Sequence, residues 1–181
     1  MMKKYLAAPI CLFLLLTGFT SCVTTGKGSA KLPVSPSEVP SFSTDGRALK
    51  VEAENMKFSE CTPKADEDAS RGFCLEMKKK SASAEATVTL GAGRWEILIA
   101  EKAFETDKSF MTLMCGKDGY RIYPSNPPLG CFELTTRCPV YLDLKESQDI
   151  KIKVTPFQEK DKCLFSFDYI QFVKVKDIAG N

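Results

Sequence analysis

The sequence predicts an all-β domain, an antiparallel β-sandwich, over residues 48–177. Three observations predict this fold class. Apolar and polar residues alternate with a period of two in many short segments, turn-forming residues separate these segments, and no stretch has the period of a long helix. Many short strands joined by regular turns favour two packed sheets over a helical or mixed fold.

Each predicted strand directs one set of side chains into the core and the other set outwards. The predicted strands lie at 49–53, 86–90, 95–100, 110–114, 140–144, 150–155 and 163–175. Turn signals lie between them at 91–93, 117–119, 125–128 and 146–148. Trp95 alternates in phase with Ile97 and Ile99, which predicts a core position for the one tryptophan.

The first 21 residues have the pattern of an export signal. Lys3 and Lys4 precede a mostly apolar stretch of about fifteen residues, shorter than the roughly 20 that a membrane-spanning helix needs. Small residues then precede Cys22, and the segment resembles a bacterial lipoprotein signal, although Phe19 stands where a branched aliphatic is usual. The resemblance implies lipidation of Cys22 and a place in the bacterial cell envelope, anchored to a membrane and facing the periplasm or the exterior. The alternatives are a plain secretory signal and an uncleaved anchor.

Residues 22–47 are rich in Ser, Thr, Gly and Pro, which predicts a flexible tether between the lipid and the domain; residues 178–181 are a short tail. The chain has 25 basic and 23 acidic residues, so loss of Lys3 and Lys4 with the leader leaves no net charge. No basic field remains to attract nucleic acid, and we expect no nucleic-acid partner.

Six cysteines follow the lipidation site, and an even number in an exported domain indicates three disulfides. They are Cys61, Cys74, Cys115, Cys131, Cys138 and Cys163. Zinc is the alternative, but the chain has no histidine and no Cys-x-x-Cys pair. Cys61 with Cys74 is the preferred pair because it closes a polar loop between two predicted strands. A strand-like segment would hold Cys131 and Cys138 about 20 Å apart, which disfavours that pair, and the other pairings stay open.

Three segments resemble, in their order and spacing, the carbohydrate-binding modules of families six and thirty-five. They are LKVEAENM at 49–56, ATVTLGAGRWEILIAEKAF at 86–104 and FSFDYIQFVKV at 165–175. Such modules often begin with a strand reading Glu-Ala-Glu, open a central strand with a Gly and an aromatic, and close with Asp-Tyr-Ile. The resemblance implies a jelly-roll sandwich, also called galactose-binding-like.

The resemblance also implies a structural calcium site, whose ligands map onto Glu52, Glu54 and Asp168. Glu52 and Glu54 are two residues apart, so on one strand they would point to the same face. Asp168 is expected to share a face with apolar residues, and a buried carboxylate is costly unless it is paired or binds a cation. The alternative is that the two glutamates are solvated and that Asp168 pairs with a Lys or Arg. A second acidic cluster, Asp66 to Asp68, is read as a solvated loop.

Sugar-binding members of these families place aromatic rings on loops at one edge of the sandwich. The candidates for ligand binding here are Tyr120, Tyr123 and Phe132. The Asn that often precedes the final strand in the family is replaced by a stretch containing Lys160 and Lys162, which puts ordinary neutral-sugar binding in doubt and leaves room for an ionic ligand.

Catalysis is not expected, because a chain without histidine has no Ser-His or Cys-His nucleophile. No spacing of carboxylates identifies the acid and nucleophile of a glycosidase. Two interpretations of function stay open. The first is a lipid-tethered, non-catalytic glycan-binding module. The second is a protein-interaction or envelope-structural lipoprotein, binding an envelope or host protein, that has lost its sugar site.

Overall fold

Two β-sheets pack against each other through their apolar faces, in the sandwich that the alternating pattern predicts. The computed structural model describes residues 31–103, 110–124, 130–135, 137, 139–157 and 165–178. The predicted leader (1–21) and Cys22 lie outside the described residues, as do Cys138, Cys163, Lys160 and Lys162. Within the described ranges, no helix is long and apolar enough to cross a membrane.

The described residues form short strands that follow the predicted alternation. The strands are β1 (Ser41–Ser43), β2 (Ala48–Glu52), β3 (Lys57–Ser59), β4 (Thr62–Ala65), β5 (Phe73–Met77), β6 (Ser83–Leu90), β7 (Gly93–Ala103), β8 (Met111–Cys115), β9 (Asp118–Ile122), β10 (Glu133–Leu134), β11 (Val140–Leu144), β12 (Gln148–Pro156) and β13 (Phe165–Lys176). A 3-10 turn, Ala53–Asn55, lies between β2 and β3.

The first sheet has the strand order β1-β6-β12-β8-β9, and β3 also pairs with β6. The second sheet has the order β10-β7-β13-β5-β4, with β11 pairing with β7 and β2 pairing with β13. Among the described pairings only β1 with β6 is parallel. The pairing of β2 with β13 places the opening and closing segments of the domain side by side, with Glu52 opposite Tyr169.

The core lies between the two sheets and contains the side chains that the alternation assigns to it. Trp95 is 1% exposed, and its Nε1 donates a hydrogen bond to the Gly91 carbonyl oxygen at 2.8 Å, which confirms the predicted core position. Val88 and Ile152 contribute from the first sheet, and Ile97 and Phe172 contribute from the second.

Part of the predicted tether pairs with the domain. Ser41–Ser43 forms β1 at the edge of the first sheet, and the Thr87 N–H donates to the Pro40 carbonyl oxygen at 2.9 Å. The Ser35 hydroxyl lies 2.6 Å from the Phe58 carbonyl oxygen. The three residues of β1 are too few for an alternation with a period of two to be recognised in the sequence. The strand is defined by its pairing with β6.

Two local departures from ideal strands decide where the predicted calcium ligands lie. β2 ends at Glu52, and the Met56 N–H donates to the Ala53 carbonyl oxygen at 3.0 Å, which closes the 3-10 turn. Glu54 therefore lies on this turn, and the expectation that it shares a strand with Glu52 is wrong. The register of β13 against β7 shifts between Phe167 and Tyr169, so Asp168 sits in a bulge with no partner residue on β7.

The cysteines do not form the expected framework of three disulfides, because Cys61, Cys74, Cys115 and Cys131 are free thiols. The preferred bridge between Cys61 and Cys74 is absent for a reason of register. Cys74 lies opposite Lys64 on β4, three residues beyond Cys61, a separation of about 10 Å along an extended strand. The Cys61 thiol instead contacts the Ser83 carbonyl oxygen at 3.3 Å.

Candidate functional site

The three acidic residues that the family resemblance selects come together around the loop between β4 and β5. The Ser70 N–H donates to Asp168 Oδ2 at 3.0 Å. The Ser70 hydroxyl lies 2.7 Å from Glu52 Oε2 and 3.2 Å from Asp168 Oδ1. A hydroxyl group has a single proton, so it donates to only one of these carboxylates at a time.

Two cationic side chains also contact this acidic cluster, which consists of Glu52, Glu54 and Asp168. Lys50 Nζ lies 3.2 Å from Glu52 Oε1, and Arg71 Nε lies 3.3 Å from the same oxygen. Because Glu52 is 6% exposed, these contacts compensate a carboxylate that burial would otherwise destabilise.

Glu54 and Asp168, the other two acids of the cluster, have no ion pair of the kind that Lys50 and Arg71 give Glu52 among the described contacts. Burial raises the pKa of Glu54, with the negative charges of Glu52 and Asp168 adding to the effect. Burial also raises the pKa of Asp168, although its hydrogen bonds from Ser70 oppose the change. Glu54 Oε2 is buried and has no hydrogen-bond partner. The cluster therefore has more buried acceptors than donors.

This surplus of oxygen acceptors decides how well the cluster fits calcium. Carboxylate and hydroxyl oxygens are ligands that Ca²⁺ prefers, and a cation would satisfy the unpartnered Glu54 oxygen. The described residues contain no group of three His, Cys, Asp or Glu side chains already arranged to hold a metal ion. The residue types fit the ion, but Lys50 and Arg71 already neutralise Glu52 and would compete with the ion for it.

The neighbouring acidic stretch at Asp66 to Asp68 has a structural role. Lys102 Nζ lies 3.0 Å from Asp66 Oδ2 and 3.1 Å from Asp68 Oδ2. The amine thus fixes the beginning of the β4–β5 loop to the second sheet, and Ser70 fixes its end to Asp168.

A row of three aromatic rings lies on the outer face of the first sheet, where β9, β8 and β12 meet the loops. We call Tyr123, Phe110 and Phe157 the aromatic row. The Phe110 and Tyr123 ring centroids are 5.1 Å apart at an interplanar angle of 72°, and the Phe157 N–H donates to the Phe110 carbonyl oxygen at 2.9 Å. The adjacent pairs Met111–Ile122 and Met111–Pro156 are buried on the core side, so alternation puts the three rings outside, where each is partly exposed.

Two arginines flank the aromatic row. The guanidinium carbon of Arg121 lies 3.8 Å from the centroid of the Phe157 ring, which is a close cation–π contact. The guanidinium carbon of Arg137 lies 5.9 Å from the centroid of the Tyr123 ring. Both arginines are exposed.

The structure places the three predicted ligand residues in different environments. Tyr123 belongs to the aromatic row. Tyr120 lies opposite Leu113 and packs partly buried on the core, and burial raises the pKa of its hydroxyl group. Phe132 lies beside the second sheet, with Lys102 Nζ 5.3 Å from its ring centroid. The three residues therefore do not form one binding surface.

The sequence interpretation missed Phe110, Phe157, Arg121 and Arg137. Phe110 and Phe157 extend the outward alternation of β8 and β12 by one residue, so the pattern contained a signal for their face. Their adjacency follows from the strand register, which one sequence does not reveal.

Comparison with known proteins gives a consistent picture of the fold. No family model matches the sequence, and no curated protein matches it significantly. A solved family 35 carbohydrate-binding module from Clostridium thermocellum matches with a TM-score of 0.54 and 11% identity, over 72% of this chain and 100% of the module. The C-terminal family 6 module of a marine laminarinase from Zobellia galactanivorans matches with a TM-score of 0.52 and 10% identity, over 70% of this chain and 99% of the module.

The fold is that of the family 6 and family 35 carbohydrate-binding modules. It is an antiparallel jelly-roll sandwich, as the sequence resemblance implied. An exo-β-1,3-galactanase from Phanerochaete chrysosporium, solved with β-1,3-galactotriose, also matches, with a TM-score of 0.57 and 14% identity over 70% of this chain. This chain spans 29% of the length of the galactanase.

Proposed function

We propose that the domain is a non-catalytic glycan-binding module whose sugar platform is the aromatic row. The observation that carries the proposal is the presence of three partly exposed rings side by side on the outer face of the first sheet, in a sandwich with a carbohydrate-binding-module fold. Binding sites for small ligands combine aromatic surface with a few polar groups that fix orientation. The aromatic row supplies the surface, and Arg121 and Arg137 supply polar groups beside it.

The proposed cellular setting rests on the leader sequence. A basic, apolar leader followed by Cys22 supports a bacterial lipoprotein tethered to a membrane of the cell envelope through a lipid on that cysteine. The setting would present the module to glycans in the periplasm or outside the cell.

Glycan binding can be tested with the chain from residue 22 onward, carrying Cys22→Ser to prevent lipidation. Affinity electrophoresis against a panel of neutral and acidic polysaccharides should identify a retained glycan. Tyr123→Ala should weaken retention about fivefold, since a stacked aromatic contact contributes on the order of 1 kcal/mol beyond its burial.

The chain offers a matched control for this substitution. Tyr141 is 39% exposed on β11 of the second sheet and also has an arginine, Arg94, over its ring at 4.9 Å. Tyr141→Ala should leave glycan retention unchanged. Absence of retention across the whole panel would count against glycan binding, and equal losses in the two variants would count against the aromatic row as its platform.

The alternative function is protein recognition through the same surface. Aromatic residues and arginine are enriched in protein interfaces, so the aromatic row and its two arginines also suit an envelope or host protein. A partner captured by the parent protein and lost with Tyr123→Ala, in the absence of glycan retention, would favour this function.

We also propose that the acidic cluster holds a structural calcium ion. Glu52, Glu54 and Asp168 would be the ligands, and the unpartnered Glu54 oxygen supports the assignment. A calcium ion that binds the folded chain and not the unfolded chain raises the melting temperature. The melting temperature should therefore be higher in 1 mM Ca²⁺ than in chelator, and Asp168→Asn should remove this difference. Identical melting temperatures with Ca²⁺ and with chelator would instead leave Lys50 and Arg71 as the cations of the cluster.

A further inference from the structure

The two arginines beside the aromatic row differ from the other arginines of the chain. The sequence has five arginines, and three of them have a carboxylate partner. The pairs are Arg47 with Asp177 at 2.8 Å, Arg71 with Glu52 at 3.3 Å and Arg94 with Asp143 at 3.4 Å. Among the described residues, Arg121 and Arg137 contact no carboxylate.

From this contrast we infer that the aromatic row binds an anionic glycan, one that carries carboxylate or sulfate groups. The inference rests on the proposed glycan-binding function and narrows its ligand class. A guanidinium group presents donors in a planar fork that matches the oxygens of a carboxylate or a sulfate. Two such groups lie at opposite ends of a row of rings that itself has no charge.

The contact of Arg121 with Phe157 prepares the guanidinium group for an anion. Stacking on the ring at 3.8 Å restricts the side chain, so less conformational freedom is lost when a ligand binds. Stacking also leaves the N–H groups at the edge of the guanidinium plane available as donors, because the ring contacts only the face of that plane.

Acidic side chains on the same sheet face do not compete for these arginines in the described structure. Glu85 is engaged by Lys153, whose Nζ lies 2.7 Å from Glu85 Oε1. Asp149 accepts a hydrogen bond from the Thr89 hydroxyl at 2.6 Å. A neutral glycan would cover the two charged groups without giving them an acceptor of opposite charge, which costs free energy.

The test compares one neutral and two anionic polymers on the chain from residue 22 onward with Cys22→Ser. Dextran is the neutral probe, polygalacturonate the carboxylate probe and dextran sulfate the sulfate probe. We expect retention by at least one anionic polymer and weaker retention by dextran. Arg121→Gln and Arg137→Gln should each weaken anionic retention about tenfold, the loss expected for one charge-assisted contact.

Two control variants separate recognition from general charge attraction. Lys151→Gln removes one positive charge from an exposed position on the same sheet face, six residues from Phe157 and about 20 Å away along β12. It should change retention less than twofold. Arg121→Lys keeps the charge without the planar fork and should weaken retention almost as much as Arg121→Gln. Unchanged melting temperatures would show that the exposed arginines are not needed for folding.

Each outcome has a distinct meaning. Preference for one anionic polymer, with losses confined to the two arginine variants, supports the inference and identifies carboxylate or sulfate as the recognised group. Retention by neutral glycans that is insensitive to both arginines overturns the inference and leaves glycan binding intact. Equal losses in Lys151→Gln and Arg121→Gln overturn it in favour of unspecific charge attraction. Absence of retention by every glycan overturns both proposals.

Discussion

Glu101 is the residue whose position conflicts most with its charge. Its side chain is 2% exposed on β7, and its Oε2 has no hydrogen-bond partner. Glu133 lies opposite it in the register of β10 with β7. Burial, together with the negative charge of Glu133, raises the pKa of Glu101 to about 8. A carboxyl group in this environment keeps its proton at neutral pH.

This raised pKa makes stability depend on pH in a defined direction. In the unfolded chain Glu101 loses its proton near its ordinary pKa of 4.5, whereas in the folded chain it keeps the proton up to about pH 8. Unfolding therefore releases a proton between these values, and the free energy of unfolding should fall as pH rises through this window. Urea unfolding at several pH values across it should show the decline.

Glu101→Gln should make this decline shallower, because the amide is neutral at every pH, and should leave the smaller contribution of Glu54 and Asp168, whose pKa values burial also raises. Glu67→Gln replaces an exposed glutamate and should keep the slope of the parent protein. A parent protein whose stability does not fall across the window, or a Glu101→Gln variant with the parental slope, would show that Glu101 does not control the pH dependence.

At the scale of elements, the β4–β5 loop is held at both of its ends by side chains of the second sheet. Its first part is held by Lys102 through Asp66 and Asp68, and its last part is held by Asp168 through Ser70. The Lys102 side chain is only 12% exposed, so its ion pair with Asp66 is shielded from water more than a surface pair is.

Lys102→Met should release the first part of this loop without unfolding the sandwich. The apolar stem of the side chain is kept, but the two aspartates lose their cation, so amide hydrogen exchange at residues 66–69 should become at least tenfold faster. Lys78→Met is the control, because Lys78 pairs with Glu76 at 2.7 Å but is 59% exposed. Exchange in the loop that stays at the parental rate would mean that Lys102 is not needed to hold it, and that Ser70 and the backbone hydrogen bonds within the loop suffice.

The alternating pattern predicts the long strands well, because each has one buried face over five or more residues. β6, β7 and β12 were predicted in this way, and Trp95 lies in the core as expected. The 3-10 turn at Glu54 and the bulge at Asp168 could not be predicted, because each depends on contacts with distant segments. The aromatic row depends likewise on the register between β8, β9 and β12, so the sequence pointed to Tyr123 alone among its three rings.

At the scale of the whole molecule, the core packs without a disulfide at any of the four described cysteines. Large side chains such as Trp95, Phe165 and Phe172 are fully buried between the sheets, and a domain of this size can bury enough apolar surface without covalent links. Three of the free cysteines behave as part of the protein interior. Burial raises the pKa of Cys61 and Cys74 to about 11 and that of Cys115 to about 12.

Alkylation without reductant should distinguish these thiols from disulfides. In the folded protein iodoacetamide should modify Cys131, which is exposed, much faster than Cys61, Cys74 and Cys115, because only the thiolate reacts and burial suppresses it. In denaturant, still without reductant, all four should be modified, as peptide mass spectrometry can establish. If Cys61 or Cys74 required a reductant before it reacted, that cysteine would be oxidised. The sandwich would then depend on a covalent link in addition to its core.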